Sequence, residues 1–180
     1  MNTRIFYWAS LSLLIVGLVI HVLTFIPGIP TGGLLTIFVL MTGMFITIIP
    51  SIKRYGVLAR EVGMQNVQGE VTRHLPRWMR MTFLGLLFYT AFNFLFTLGY
   101  LTRGLSPAIR DGAFVLEEHG HVVRTITAEE YERQGRYQVR GFATHPMLFE
   151  FVSAMILWSC ARRMNMWVTP PTASPSRTTS

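Results

Sequence analysis

Residues 111–127 read Asp-Gly-Ala-Phe-Val-Leu-Glu-Glu-His-Gly-His-Val-Val-Arg-Thr-Ile-Thr, inside a polar stretch, 102–144, that separates two long apolar runs. Residues 113–118 and 121–127 are rich in Val, Ile, Phe and Thr, with His119-Gly120 between them. That pattern predicts a β-hairpin closed by a two-residue turn. On this register Glu118 faces His121 and Leu116 faces Val123, so Phe114, Leu116 and Val123 share one apolar face. A lone hairpin is marginal in water. Its apolar face therefore needs the following helix, the bilayer surface or a partner protein as a support. Thr127, with Glu130 three positions on, has the spacing of a capping box and opens a polar helix over 128–140. Tyr131, Tyr137 and Phe142 are its candidates for docking on the hairpin. Gly135 costs a helix interior roughly 1 kcal/mol against Ala and marks a break. Thr144 then caps a last helix, with Pro146 in its tolerant first turn.

Outside this stretch the sequence is dominated by apolar runs. The chain has 180 residues, 51% hydrophobic and 14% charged, whereas soluble domains carry about 25% charged residues. Four runs, at about 5–26, 32–49, 78–101 and 145–161, approach or reach the roughly 20 residues needed to cross about 30 Å of hydrocarbon. The fourth is the shortest, and Arg162 and Arg163 extend it by reaching to the interface. The first run lacks an Ala-x-Ala type cleavage site and is followed at once by a second span, so it reads as a retained helix. Pro27 and Pro30 suit the turn between the first two spans, and Pro50 ends the second. The expected fold is an all-α, four-transmembrane-helix bundle over 1–168 with a small α+β extracytoplasmic insertion, hairpin plus helix, at 102–144. The Pro- and Ser-rich stretch 169–180 is expected to be a disordered tail.

Lys and Arg set the orientation. Arg4, Lys53, Arg54, Arg60, Arg73, Arg77, Arg80, Arg162, Arg163 and Arg177 fall on one side, against only Glu61 and Glu70. The insertion balances six arginines with Asp111 and five glutamates. Both termini and the loop 51–76 are thus expected in the cytoplasm. Trp8, Trp78, Trp158 and Trp167 then lie near that interface, which favours their amphipathic rings. Val57, Leu58, Val62, Met64 and Val67 predict an amphipathic helix lying on the inner leaflet. The net charge of +7 comes from residues flanking apolar runs and forms no aromatic-interleaved groove, so nucleic acid is excluded as a partner. The single cysteine, Cys160, rules out an intrachain disulfide and a cysteine-based metal cluster.

The pattern Asp111-Gly112-Ala113-Phe114-Val115-Leu116, His119-Gly120, Ile126-Thr127, Glu130-Tyr131, Arg140-Gly141-Phe142, His145, Met147 and Phe149 resembles a family of small, polytopic bacterial inner-membrane proteins. The resemblance covers roughly residues 111–149. It implies a bacterial inner-membrane setting and carries over no catalytic residue, because the family brings no activity with it.

Few groups in the chain carry chemistry. His21, Asn93, Glu150 and His145 form a candidate intramembrane polar set. With 1.5 Å per residue, His21 is about 9 Å, Asn93 about 12 Å and Glu150 about 6 Å below the outer boundary. Intramembrane ionisable groups are costly and point to function by default. The structural alternative is a His21–Glu150 hydrogen bond with Asn93 as packing glue. Paired imidazoles from His21 and His145 would suit a haem iron, and Glu118, His119 and His121 a metal, but turn and surface placement accounts for the latter group. No nucleophile motif accompanies the histidines, so no cofactor is assigned. The candidate interaction surface is Phe114, Leu116, Glu118, His119, His121, Val123 and Tyr131. The expected function is that of a noncatalytic accessory protein presenting the insertion to a membrane or periplasmic protein. The alternatives are a small transporter or proton-coupled protein using His21, Asn93 and Glu150, and a haem-binding redox protein.

Overall fold

The computed structural model describes residues 2–163. Trp167, Arg177 and the stretch 169–180 lie outside them. Long apolar stretches give three helices long and apolar enough to cross a membrane: α1 (Thr3–Leu23), α2 (Gly33–Val62) and α4 (Arg77–Phe96), the last prolonged by a π-helical turn at Thr97–Leu101. A short helix, α3 (Met64–Arg73), joins α2 to α4. After α4 come strands β1 (Ser106–Arg110), β2 (Ala113–Glu118) and β3 (His121–Thr125), which form one antiparallel sheet in that order. The chain then enters α5, a single helix from Ala128 to Arg163.

α5 organises the molecule, because α1, α2 and α4 all pack on it. Along its second half Val139, Ala143, Met147, Phe151, Ala154, Leu157 and Ala161 are buried. Its only exposed large apolar side chains are Phe142 and Phe149, while α1, α2 and α4 turn Ile15, Phe38, Ile46, Phe88 and Phe92 outward. A helix wrapped by others meets protein rather than solvent or lipid on most sides. It therefore tolerates Glu150, Ser153 and Ser159 without matching the apolarity of its neighbours.

Several sequence expectations change. Pro50 and Pro146 were boundary signals, yet both lie inside helices. Proline removes one backbone donor and frees the carbonyl four residues back, here that of Ile46 and that of Phe142, while hydroxyls bond neighbouring carbonyls of the same turns. Around Pro50, Ser51 Oγ donates to Thr47 O at 2.8 Å. Around Pro146, Thr144 Oγ1 donates to Gly141 O and Thr90 Oγ1 to Thr144 O, both at 3.3 Å. The second run thus continues to Val62 rather than ending at residue 49, and the run 145–161 is part of a helix that starts at Ala128. Gly135 does not break it.

The loop 51–76 also differs from an inner-leaflet helix. Leu58 and Ala59 at the end of α2, and Val67 and Val71 of α3, are buried with Leu75, Met79, Phe151 and Cys160 in one core. Leu58, Ala59, Val67 and Val71 cover the end of α5, while Val57 and Met64 stay exposed. Arg163 locks the arrangement by pairing with Glu61 at 3.1 Å and Glu70 at 3.8 Å.

Candidate functional site

The insertion is a three-stranded sheet rather than a hairpin. Asp111 and Gly112 both have positive φ, 51° and 77°, as do His119 and Gly120, at 51° and 85°. Positive φ at both central residues is the signature of the tight turn whose twist matches antiparallel strands. Arg110 pairs with Ala113 across the first turn and Glu118 with His121 across the second. The second turn matches its sequence reading. Beyond it a bulge between Leu116 and Glu117 shifts the register, so Leu116 faces Arg124 and not Val123. The shared apolar face accordingly dissolves: Leu116 is buried, Phe114 half-buried and Val123 exposed.

The support that the hairpin lacked is α5 itself, which packs on β1 and β2. Phe114 meets Tyr131 of α5 with ring centroids 4.9 Å apart. Thr127 does cap α5, accepting from Glu130 N at 3.2 Å. The Glu130 side chain, however, turns to Arg124 of β3 in a two-pronged ion pair, stapling the last strand to the first turn of the helix. Hydrogen bonding to Arg124 holds the Glu130 carboxyl below its ordinary range. A depressed carboxylate pKa adds stability that is present above the unfolded value and lost as pH falls through the folded one. Amides at the β3–α5 junction are therefore expected to lose hydrogen-exchange protection on acidification below the ordinary carboxylate range, before the rest of the sheet. Glu130→Gln should remove that pH dependence.

Of the proposed surface residues, Glu118, His119, His121 and Val123 are exposed, Phe114 and Tyr131 are partly covered by each other, and Leu116 is interior. No group of three metal-ligating side chains occurs among the described residues.

The four intramembrane candidates do not form one cluster. His21 Nε2 lies 2.5 Å from the Tyr89 hydroxyl of α4, so the expected His21–Glu150 bond is replaced by His21–Tyr89. Asn93 Nδ2 donates to Arg140 O at 2.8 Å, which makes it interhelical glue between α4 and α5. His145 packs on Phe94 and Phe142, with centroids 4.9 Å and 6.2 Å away. The two histidines that a haem would need thus engage different aromatic partners.

Glu150 is 2% exposed, and its Oε2 lies at hydrogen-bond distance, 2.6 Å, from Thr47 Oγ1 of α2. Arg140 reaches across to α1, where Nη2 donates to Thr24 O at 2.6 Å and Nε to Thr24 Oγ1 at 3.3 Å. Arg140 therefore marks the level of the C-terminal end of α1, and Glu150 lies about 15 Å further along α5.

Arg140, Tyr89, Thr47 and Ser10 are the polar partners that sequence reasoning missed. Arg140 offered a signal, as the last charge before the run that holds Glu150. Ser10 and Thr47 offered none inside their apolar runs. No protein-family model, curated protein or solved structure matches this chain, so its function rests on the geometry of these sites.

Proposed function

We propose that the chain is a four-span integral protein of the bacterial inner membrane, with cytoplasmic termini. In this role it is a noncatalytic accessory protein that presents its sheet outside the cytoplasm to a protein partner. The second half of α5 is the fourth span, supported by its burial among three membrane-length helices and by the basic residues at one end of the bundle. One observation carries the functional reading: β3 is exposed along its whole length at the edge of the sheet, with Val122 and Val123 54% and 52% exposed. A free strand edge with apolar side chains is a template for pairing with another chain, and α5, which packs on β1 and β2 and holds Arg124 of β3 through Glu130, fixes its position.

A photo-crosslinking residue placed at Val123 is expected to capture a membrane or periplasmic protein, and Val122→Lys to abolish that capture while leaving the bundle folded. Recovery of lipid alone, with behaviour unchanged after deletion of the sheet, would sink the proposal. A second reading, a proton-coupled membrane protein, is favoured by Glu150 alone, since His21 and Asn93 are engaged elsewhere. Proteoliposome flux unchanged by Glu150→Gln would dispose of it.

A further inference from the structure

Glu150 sits where α1, α2 and α5 meet. Its hydroxyl neighbours, Ser10 and Thr47, are both fully buried. Each lies six residues from a basic residue of its own helix, Arg4 and Lys53, or about 9 Å along the axis. One carboxyl oxygen, Oε1, has no protein hydrogen-bond partner, and neither has the buried Ser153 Oγ one turn away.

The hydroxyls can serve either protonation state of this site. Thr47 Oγ1 lies 3.0 Å from Met44 O as well as 2.6 Å from Glu150 Oε2. Ser10 Oγ lies 3.0 Å from Phe6 O and faces the same carboxyl. A hydroxyl has one proton to donate, while a backbone carbonyl and an ionised carboxylate only accept. The carbonyls of Met44 and Phe6 lie inside α2 and α1 and also accept helix N–H groups, so with Glu150 ionised both hydroxyls can donate to the carboxylate. With Glu150 a carboxylic acid, the acid donates to Thr47 Oγ1, Thr47 donates to Met44 O, and Ser10 to Phe6 O. A separation of 2.6 Å is that of an O–H···O bond.

No charge is set against the carboxyl. α1 presents Ser10, with Tyr7 and Arg4 toward its start, and α2 presents Thr47 and Ser51, with Lys53 and Arg54 beyond them. α4 has no charged residue between Arg80 and Arg103. α5 has none but Glu150 between Arg140 and Arg162, and its His145 is packed on Phe94 and Phe142.

The geometry points to Glu150, Thr47 and Ser10 as an intramembrane proton-binding site, with Glu150 as the acid and the two hydroxyls as switchable partners. On release, the acid O–H bond breaks, its electron pair stays on the carboxylate, and the proton passes to a water molecule as hydronium. Thr47 and Ser10 then turn their protons from the backbone carbonyls onto the carboxylate. Protonation of one residue of α5 is thereby tied to hydrogen bonds within α1 and α2. The site deepens the proton-coupled reading, which flux measurements test. Occupancy by a proton is tested separately, as follows.

Infrared spectra of the full chain in lipid bilayers, recorded in water and deuterium oxide, are expected to show a carboxylic-acid C=O band at neutral pH. Glu150→Gln should remove it, Thr47→Val should shift it, and alkaline pH should convert it to carboxylate bands with release of one proton per chain. A carboxylate alone at neutral pH, or an acid band untouched by both substitutions, overturns the proposal. If Glu150→Gln does not fold, Thr47→Val with carbon-13-labelled glutamate decides it, because the labelled acid band must still move.

Discussion

Gly141→Val is expected to destabilise the bundle by about 1–3 kcal/mol, the range for overpacking a well-filled interior, read as a drop in the thermal midpoint in detergent. A Cβ at position 141 would lie 2.9 Å from Thr97 Cγ2 and 3.1 Å from Thr97 Cβ. Thr97 is buried, branched at Cβ and part of the π-helical turn, so it has little rotamer freedom with which to yield. α4 must then lift from α5, and the Asn93–Arg140 and Thr90–Thr144 bonds lie along the same seam. Gly135→Ala is the control on the same helix. Nothing lies within 4 Å of its added Cβ, so the better helix former should stabilise α5 by up to about 1 kcal/mol.

Arg140→Ala is expected to be the other large effect. The guanidinium holds the carbonyl of Thr24 at the C-terminus of α1 and lies 4.0 Å over the Phe25 ring. Cations favour that end of a helix dipole. Removing the side chain strands a buried carbonyl, costing about 1–3 kcal/mol, and forfeits a cation–π contact of about 0.5–2 kcal/mol. The loss should appear as hydrogen exchange concentrated at residues 20–26. Arg140→Lys should recover only part of it, because an ammonium lacks the planar fork that spans Thr24 Oγ1 and O. Uniform exchange across the bundle would count against this role.

The apolar helices were legible because burial in lipid writes itself as composition, and residues 5–26 and 78–101 map closely onto α1 and onto α4 with its π turn. The prolines were misleading: a mid-helix proline is usually a stop, whereas here Pro50 and Pro146 sit inside long helices packed against their neighbours. β1 was hidden because Ser106-Pro107-Ala108-Ile109-Arg110 neither alternates nor favours strand, although Asp111-Gly112 held the turn that creates it. The bulge at Leu116/Glu117 left no mark in the sequence, and it alone moved Val123 out of the expected pairing. Glu150 and His21 were recognisable as unusual. Their partners were not, since Thr47 lies 103 positions from Glu150 and Tyr89 lies 68 from His21.

Among the four long helices α5 is the one least able to leave water by itself, yet in the proposed four-span arrangement it occupies the middle of the membrane domain. Partitioning of a helix during synthesis depends on its own apolarity, and Glu150, Ser153 and Ser159 all weigh against it. α1, α2 and α4 precede it and carry the apolar surface that it lacks. Assembly is therefore ordered: three helices enter lipid first and form a cradle, and the fourth is recruited into protein contacts rather than into hydrocarbon. The sheet, tethered to α4 and to the first turns of α5, is made just before that step and can reach its final position only when α5 docks. Under the proposed function, presentation of the β3 edge would thus report completed insertion, and a chain that stalls before α5 seats would not offer a properly placed edge to a partner.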